Sequence, residues 1–116
     1  MVPELTRKQK AELRKLHALA WQRDLDRELA ILEESFASWR AGTIDAFDLT
    51  DIIHQFHNGR QRELYSFYSS RNNPFAVPAA IAKGLISESE VSSELLEKLR
   101  FSIEDIRDAI RERPDR

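Results

Sequence analysis

The chain has 116 residues, with 18 basic and 20 acidic side chains and a formal charge of −2. Its size fits one domain with a modest core, and the near balance of charge excludes a global field drawing it to nucleic acid or membrane. The lack of cysteine excludes disulfides, thiolate metal sites and thiol nucleophiles, and three glycines leave little room for phosphate-cradling loops.

Apolar residues make up 41% of the chain and charged residues 33%, the composition of a helix-rich folded protein rather than a disordered one. The opening residues, MVPELTRKQK, lack the apolar core of a signal peptide, and no apolar run approaches membrane-spanning length. A cytoplasmic protein with no membrane partner is the expectation.

Thr6 and Gln9 have capping-box spacing and open a long helix through roughly Arg40. In its second half Trp21, Leu25, Leu29, Leu32, Phe36 and Trp39 recur at steps of three and four and share one face. Leu13, Leu16, Ala20 and Ile31 point elsewhere, beside a basic run from Arg7 to Lys15. This second apolar patch either packs on the C-terminal part of the same chain or forms a homo-oligomeric or partner interface.

Ala41-Gly42-Thr43 ends the first helix, with Gly42 suited to a left-handed cap, and Asp45 or Asp48 can cap the next. So short a connection predicts an antiparallel hairpin of two helices. The second helix is the most informative stretch, DAFDLTDIIHQFHNGRQRELYSFY from Asp45 to Tyr68. On one continuous helix Leu49, Ile52, Ile53, Phe56, Leu64 and Phe67 form a stripe, with Arg60 and Glu63 inside it and His57 at its edge. Either His57, Arg60 and Glu63 are buried as a polar network, or the helix breaks near Gly59 and the faces re-phase. A single helix kinked at Gly59 is the expectation.

Asn72-Asn73-Pro74 is a break, and Pro74 and Pro78 suit a helix's first turn. Pro78 to Lys83 predicts a short helix closed by Gly84, and Ser87 with Glu90 is a second capping box. From about Ser93, Leu95, Leu96, Leu99, Ile103, Ile106 and Ile110 keep helical spacing up to Pro114, with Ser102 and Asp105 as a signal that could interrupt it. No stretch alternates as a strand does. The expected fold is all-α: a long antiparallel helical hairpin with shorter helices and a C-terminal helix packed on it, a small helical bundle. It forms one domain over residues 1–116, with flexible ends at 1–4 and 114–116.

Three constellations bear on function. Asp51, His54 and His57 are spaced by three, so a helix brings them near enough to offer a divalent metal two imidazoles and a carboxylate. Each step of three turns the side chain by about 60°, which weakens that geometry. His57, Arg60 and Glu63, with His54 nearby, could supply acid-base work and phosphate stabilisation for a metal-dependent or RNA-processing enzyme. The competing account is an ion pair that fixes helix register, because no nucleophile or second acid-base set accompanies them.

The third is Ile81 to Leu99, IAKGLISESEVSSELLEKL, where Ile86-Ser87, Val91-Ser92 and Leu95 fall at turn and second-helix positions. This segment resembles the helix-turn-helix of bacterial DNA-binding proteins, although Gly84-Leu85 inverts the motif's usual leucine-glycine order. The resemblance implies a DNA-binding or antitoxin-type regulator. Glu88, Glu90, Glu94 and Glu97 would face a polyanion, so the residues favour a structural use of the unit. No catalytic set and no cofactor motif is apparent. The function expected is contact with a protein partner or with a second copy of the chain, with nucleic acid not among the partners.

Overall fold

The computed structural model describes residues 4–70 and 73–112. The protein is all-α: α1 (Arg7–Arg40), α2 (Ala46–Asn58), α3 (Arg60–Ser69), α4 (Ala76–Ala82) and α5 (Ser93–Glu112), with a 3₁₀ turn at Glu88–Glu90 and no strand among the described residues. No helix among those residues is long and apolar enough to cross a membrane. The expected single domain divides into two compact units, Met1–Ala20 with Asn72–Arg116, and Trp21–Arg71. Of the ends expected to be flexible, residues 1–3 and 114–116 lie outside the described residues.

The discontinuous unit holds most of the buried apolar side chains. α1 opens as the capping box requires: Thr6 N–H donates to Gln9 Oε1 at 2.9 Å and Gln9 N–H to Thr6 Oγ1 at 3.1 Å. Two turns on, Leu16 and Ala20 are buried. α4 is short and apolar, with Pro78 in its first turn, where a missing N–H costs nothing. It ends on Gly84 at φ 80°, with Leu85 N–H donating to Ala80 O at 2.8 Å and Gly84 N–H to Ile81 O at 3.1 Å. Both are the bonds of a left-handed helix cap. The reciprocal Ser87–Glu90 box then turns the chain through the 3₁₀ segment, burying Ile86 and Val91 on either side of it. In α5 Leu95, Leu99 and Ile103 are buried at steps of four, and Ser102 with Asp105 does not interrupt the helix.

One carboxylate ties the first helix to the last within this unit. Glu12 accepts from Ser92 N–H at 2.7 Å and from the Ser92 hydroxyl at 2.5 Å. Ser92 Oγ in turn accepts from Leu95 N–H at 3.3 Å and so caps α5. A half-buried carboxylate thereby satisfies helix-terminal donors across 80 residues of sequence.

The interface expected at Leu13, Leu16, Ala20 and Ile31 does not form an open surface. Leu16 and Ala20 are buried and Leu13 is half-buried; only Ile31 is exposed.

The continuous unit is a helical hairpin made by the second half of α1 and by α2–α3. Gly42, at φ 79°, closes α1 with Thr43 N–H donating to Ser38 O at 2.9 Å, and Asp45 and Asp48 cap α2 reciprocally at 2.8 and 3.0 Å. Where one kinked helix was expected, Gly59 divides α2 from α3 (φ −103°, ψ −95°). Gly59 N–H donates the last bond of the α2 ladder, to Gln55 O at 2.8 Å, and Gly59 O accepts the first of α3, from Glu63 N–H at 2.9 Å. A Cβ at this position would lie 2.7 Å from the Gln55 carbonyl oxygen, so only glycine fits without a backbone shift.

Two outcomes test this description. Gly59→Ala gains about 1 kcal/mol of helix propensity but meets a backbone clash of about 1–3 kcal/mol, so a net loss of stability is expected in denaturant melts. A net gain would mean that the helix straightens at no expense. Glu12→Ala removes two hydrogen bonds to a charged acceptor and is expected to cost about 2–3 kcal/mol, with Ser92→Ala adding little to it; a loss below about 0.5 kcal/mol would remove the clamp from the fold's essential contacts.

Candidate functional site

The face of α1 that turns toward α2–α3 carries Trp21, Asp24, Glu28 and Leu32, each half-buried. α3 answers with Leu64 and Tyr68, both buried. Trp21 stacks on Tyr68 with centroids 5.7 Å apart and planes 9° from parallel, and meets Tyr65 at 6.0 Å with a tilt of 60°. Phe67 packs edge-on against Tyr68 at 5.0 Å. The Tyr68 hydroxyl donates to Asp24 Oδ2 at 2.5 Å. Burial, reinforced by this bond to a carboxylate, holds the phenol well above the ordinary tyrosine range.

Arg60 reaches across the hairpin to Glu28, Nε to Oε1 at 3.2 Å, and along its own helix to Glu63 at 3.2 Å. Of the two alternatives for Arg60 and Glu63, burial as a network is not found: their side chains are 47% and 64% exposed. The rotation at Gly59 is the physical reason. It turns Tyr68 inward beside Leu64, where a continuous helix would have placed Arg60, Glu63 and Phe67. Partial desolvation opposes the charge on Arg60, and Glu28 and then Glu63 more than offset it, so the guanidinium stays firmly protonated. An exposed pair of this kind contributes under about 1 kcal/mol.

His57 does not join that pair. It is exposed, and its Nδ1 lies 2.8 Å from Gln61 Oε1, while the His54 ring is 3.0 Å from the Asn58 amide. The trio read as an acid-base set is therefore not assembled. Asp51, His54 and His57 do not gather either: among the described residues no group of three or more His, Cys, Asp or Glu is placed to hold an ion. The turn of about 60° per step of three spreads them around α2.

The helix-turn-helix resemblance meets a different connection. α4 stops at Ala82 and α5 starts at Ser93, with residues 83–92 and a 3₁₀ turn between them. The motif uses a turn of ~3–4 residues. Glu88 and Glu90, expected on the second helix, sit in the 3₁₀ turn, and Arg107 of α5 pairs with Glu88 at 2.9 Å.

What the hairpin does present is apolar surface. It buries Leu49, Leu64 and Tyr68 but leaves Leu29 49%, Ile53 37% and Tyr65 62% exposed. At about 100° per residue, Leu25, Phe36 and Leu29 lie about 60–100° to one side of the packed stripe of α1. Ile53 on α2 and Tyr65 on α3 lie to the same rotational side of theirs, and in an antiparallel pair that is the same side of the hairpin. The other side exposes Ile31 and Phe67, and Phe47 is 81% exposed on the outer surface of α2. Sequence reading placed Leu29 on the buried stripe of α1. The steps from Leu25 to Leu29 and from Leu32 to Phe36 already carried the signal, because steps of four drift toward one flank.

At neutral pH, Tyr68→Phe is expected to cost about 1–2 kcal/mol by losing the bond to Asp24. The folded state holds the phenol above its unfolded value of 10, so the contribution is complete below that pH and disappears as pH rises beyond it. Denaturant melts across the alkaline range should therefore show stability falling more steeply in the wild type than in Tyr68→Phe; parallel curves would dissociate Tyr68 from that limb.

Compared with known proteins, the chain matches no family model, no curated protein and no solved structure.

Proposed function

We propose that the protein works by protein–protein contact and that the Trp21–Arg71 hairpin is its interaction module. The supporting observation is the mismatch between what this hairpin buries and what it exposes. Three apolar side chains are withdrawn from water, while Leu29, Ile53 and Tyr65 share one open side with the half-buried Leu25 and Phe36. An amphipathic hairpin of two helices gains little from its own packing and is completed by surface supplied from elsewhere. Exposed apolar side chains gathered on one side, with polar ones at the rim, are what a contact surface requires.

Position-specific photocrosslinking in producing cells tests this reading. A photoreactive residue at Leu29 or Ile53 of the full chain should give one discrete covalent adduct, and the same residue at the exposed Glu104 should give none. An adduct of either kind, to another protein or to a second copy, is consistent with the proposal. No adduct from either hairpin position would overturn it.

A further inference from the structure

We infer that the partner of this hairpin face is a second copy of the chain, arranged so that each α1 lies beside the partner's α2–α3 in an antiparallel four-helix bundle. The inference rests on the reading of the hairpin as an interaction module, and charge and height along the helices carry it further.

Two contacts fix which residues of the hairpin are level. Trp21 stacks on Tyr68, and Glu28 pairs with Arg60 at 3.2 Å. Both helices rise by about 1.5 Å per residue. Counting from those contacts, Asp26 is level with Arg62, Glu33 with the turn between His54 and His57, and Phe36 with Ile53. The rims of the open side then differ in chemistry, carboxylates along the middle of α1 against a guanidinium and two imidazoles along α2–α3. Beyond Leu29 and Phe36, α1 presents Asp26 and Glu33, with Gln22 and Arg40 toward its ends. Beyond Ile53 and Tyr65, α2–α3 present His54, His57 and Arg62. Asp26, Glu33, Arg62 and both histidines are exposed.

A closed pair of hairpins joined through this side has two symmetric solutions. A two-fold axis across the helices would set α1 on α1, acid rim against acid rim. An axis along the helices keeps every residue at its own height and sets α1 on the partner's α2–α3. Asp26 then faces the partner's Arg62, Glu33 faces the partner's His54 and His57, and Phe36 faces the partner's Ile53. Both solutions make every neighbouring pair of helices antiparallel, and only the second sets Asp26 against an arginine. The size is adequate as well. About 20 residues of helix and two helix widths give a footprint of about 30 by 20 Å, approaching the ~800 Å² each partner buries in a standard interface.

The test uses the full chain at low ionic strength, where exposed charges are least screened. Sedimentation equilibrium should show a dimer for the wild type. Asp26→Arg sets arginine against the partner's Arg62 twice per dimer, and Arg62→Asp sets aspartate against the partner's Asp26 twice. Each variant alone should dimerise at least tenfold more weakly, with an unchanged far-ultraviolet circular dichroism spectrum. Mixed in equal amounts they should form a heterodimer of near wild-type affinity, because both cross-contacts are then of opposite sign. The mixing result also guards against misfolding, since two misfolded variants would not rescue each other. A monomeric wild type overturns the inference. It leaves the interaction reading standing if crosslinking at Leu29 and Ile53 captures another protein, and overturns both if it captures nothing. A dimer indifferent to the single changes, or one that mixing does not restore, overturns the arrangement.

Discussion

The approach of residue 59 to the Gln55 carbonyl governs much of the continuous unit. With 2.7 Å between that oxygen and the place a Cβ would occupy, the backbone can turn there only because the residue is glycine. Gly59 itself stays bonded on both sides of the turn, its N–H to Gln55 O and its O from Glu63 N–H. What it changes is phase. Upstream, Leu49 is the buried member of α2; downstream, Leu64 and Tyr68 take over, and the aromatic contact with Trp21 depends on that exchange. Without the turn the same sequence would press a guanidinium and a carboxylate against α1, at a desolvation penalty that a loose ion pair does not repay.

Arg60 is the residue through which this is best seen. Moved off the buried stripe, it is exposed enough to be solvated and near enough to Glu28 to bridge the hairpin. A polar contact to α1 that lies deeper is neutral on one side: a phenol donating to Asp24. The hairpin thus leaves Arg60 and Glu63 to water and gives the more withdrawn Asp24 carboxylate a phenol to accept from, the order that desolvation dictates.

Local signals were legible in the sequence wherever a few neighbouring residues settle the outcome. Thr6 with Gln9, Gly42, Gly84, and Ser87 with Glu90 all mark helix ends that the structure has, because caps and left-handed turns are decided by contacts a few residues apart. The all-helical class followed from periodicity for the same reason. Less legible was anything requiring two distant segments. Asp24 and Glu28 carry no pattern in α1 that singles them out, and their roles exist only once Tyr68 and Arg60 arrive opposite. The Glu12–Ser92 clamp is equally silent in sequence, as each is an ordinary polar residue in its own segment. The stripe through Asp45–Tyr68 was read with one phase, and a single glycine shifted it; helical periodicity assumes an unbroken rotation and cannot report where the rotation changes. The metal and acid-base groupings around His54 and His57 failed for a related reason. Spacing says how far apart side chains start, and their partners, Asn58 and Gln61, decide where they go.

The clamp between Glu12 and Ser92 also has a bearing on the order in which the molecule is made. It closes the unit whose two segments lie at opposite ends of the chain, so that unit waits for the last helix to be synthesised. The hairpin is continuous in sequence and needs nothing beyond residue 71 to pair its helices. On a ribosome moving from the N-terminus, local contacts form before distant ones, and the hairpin's open side is exposed to neighbouring chains while the remainder is still emerging. On the proposal that this side takes a second copy, chains translated in succession from one message meet through their earliest-folded element.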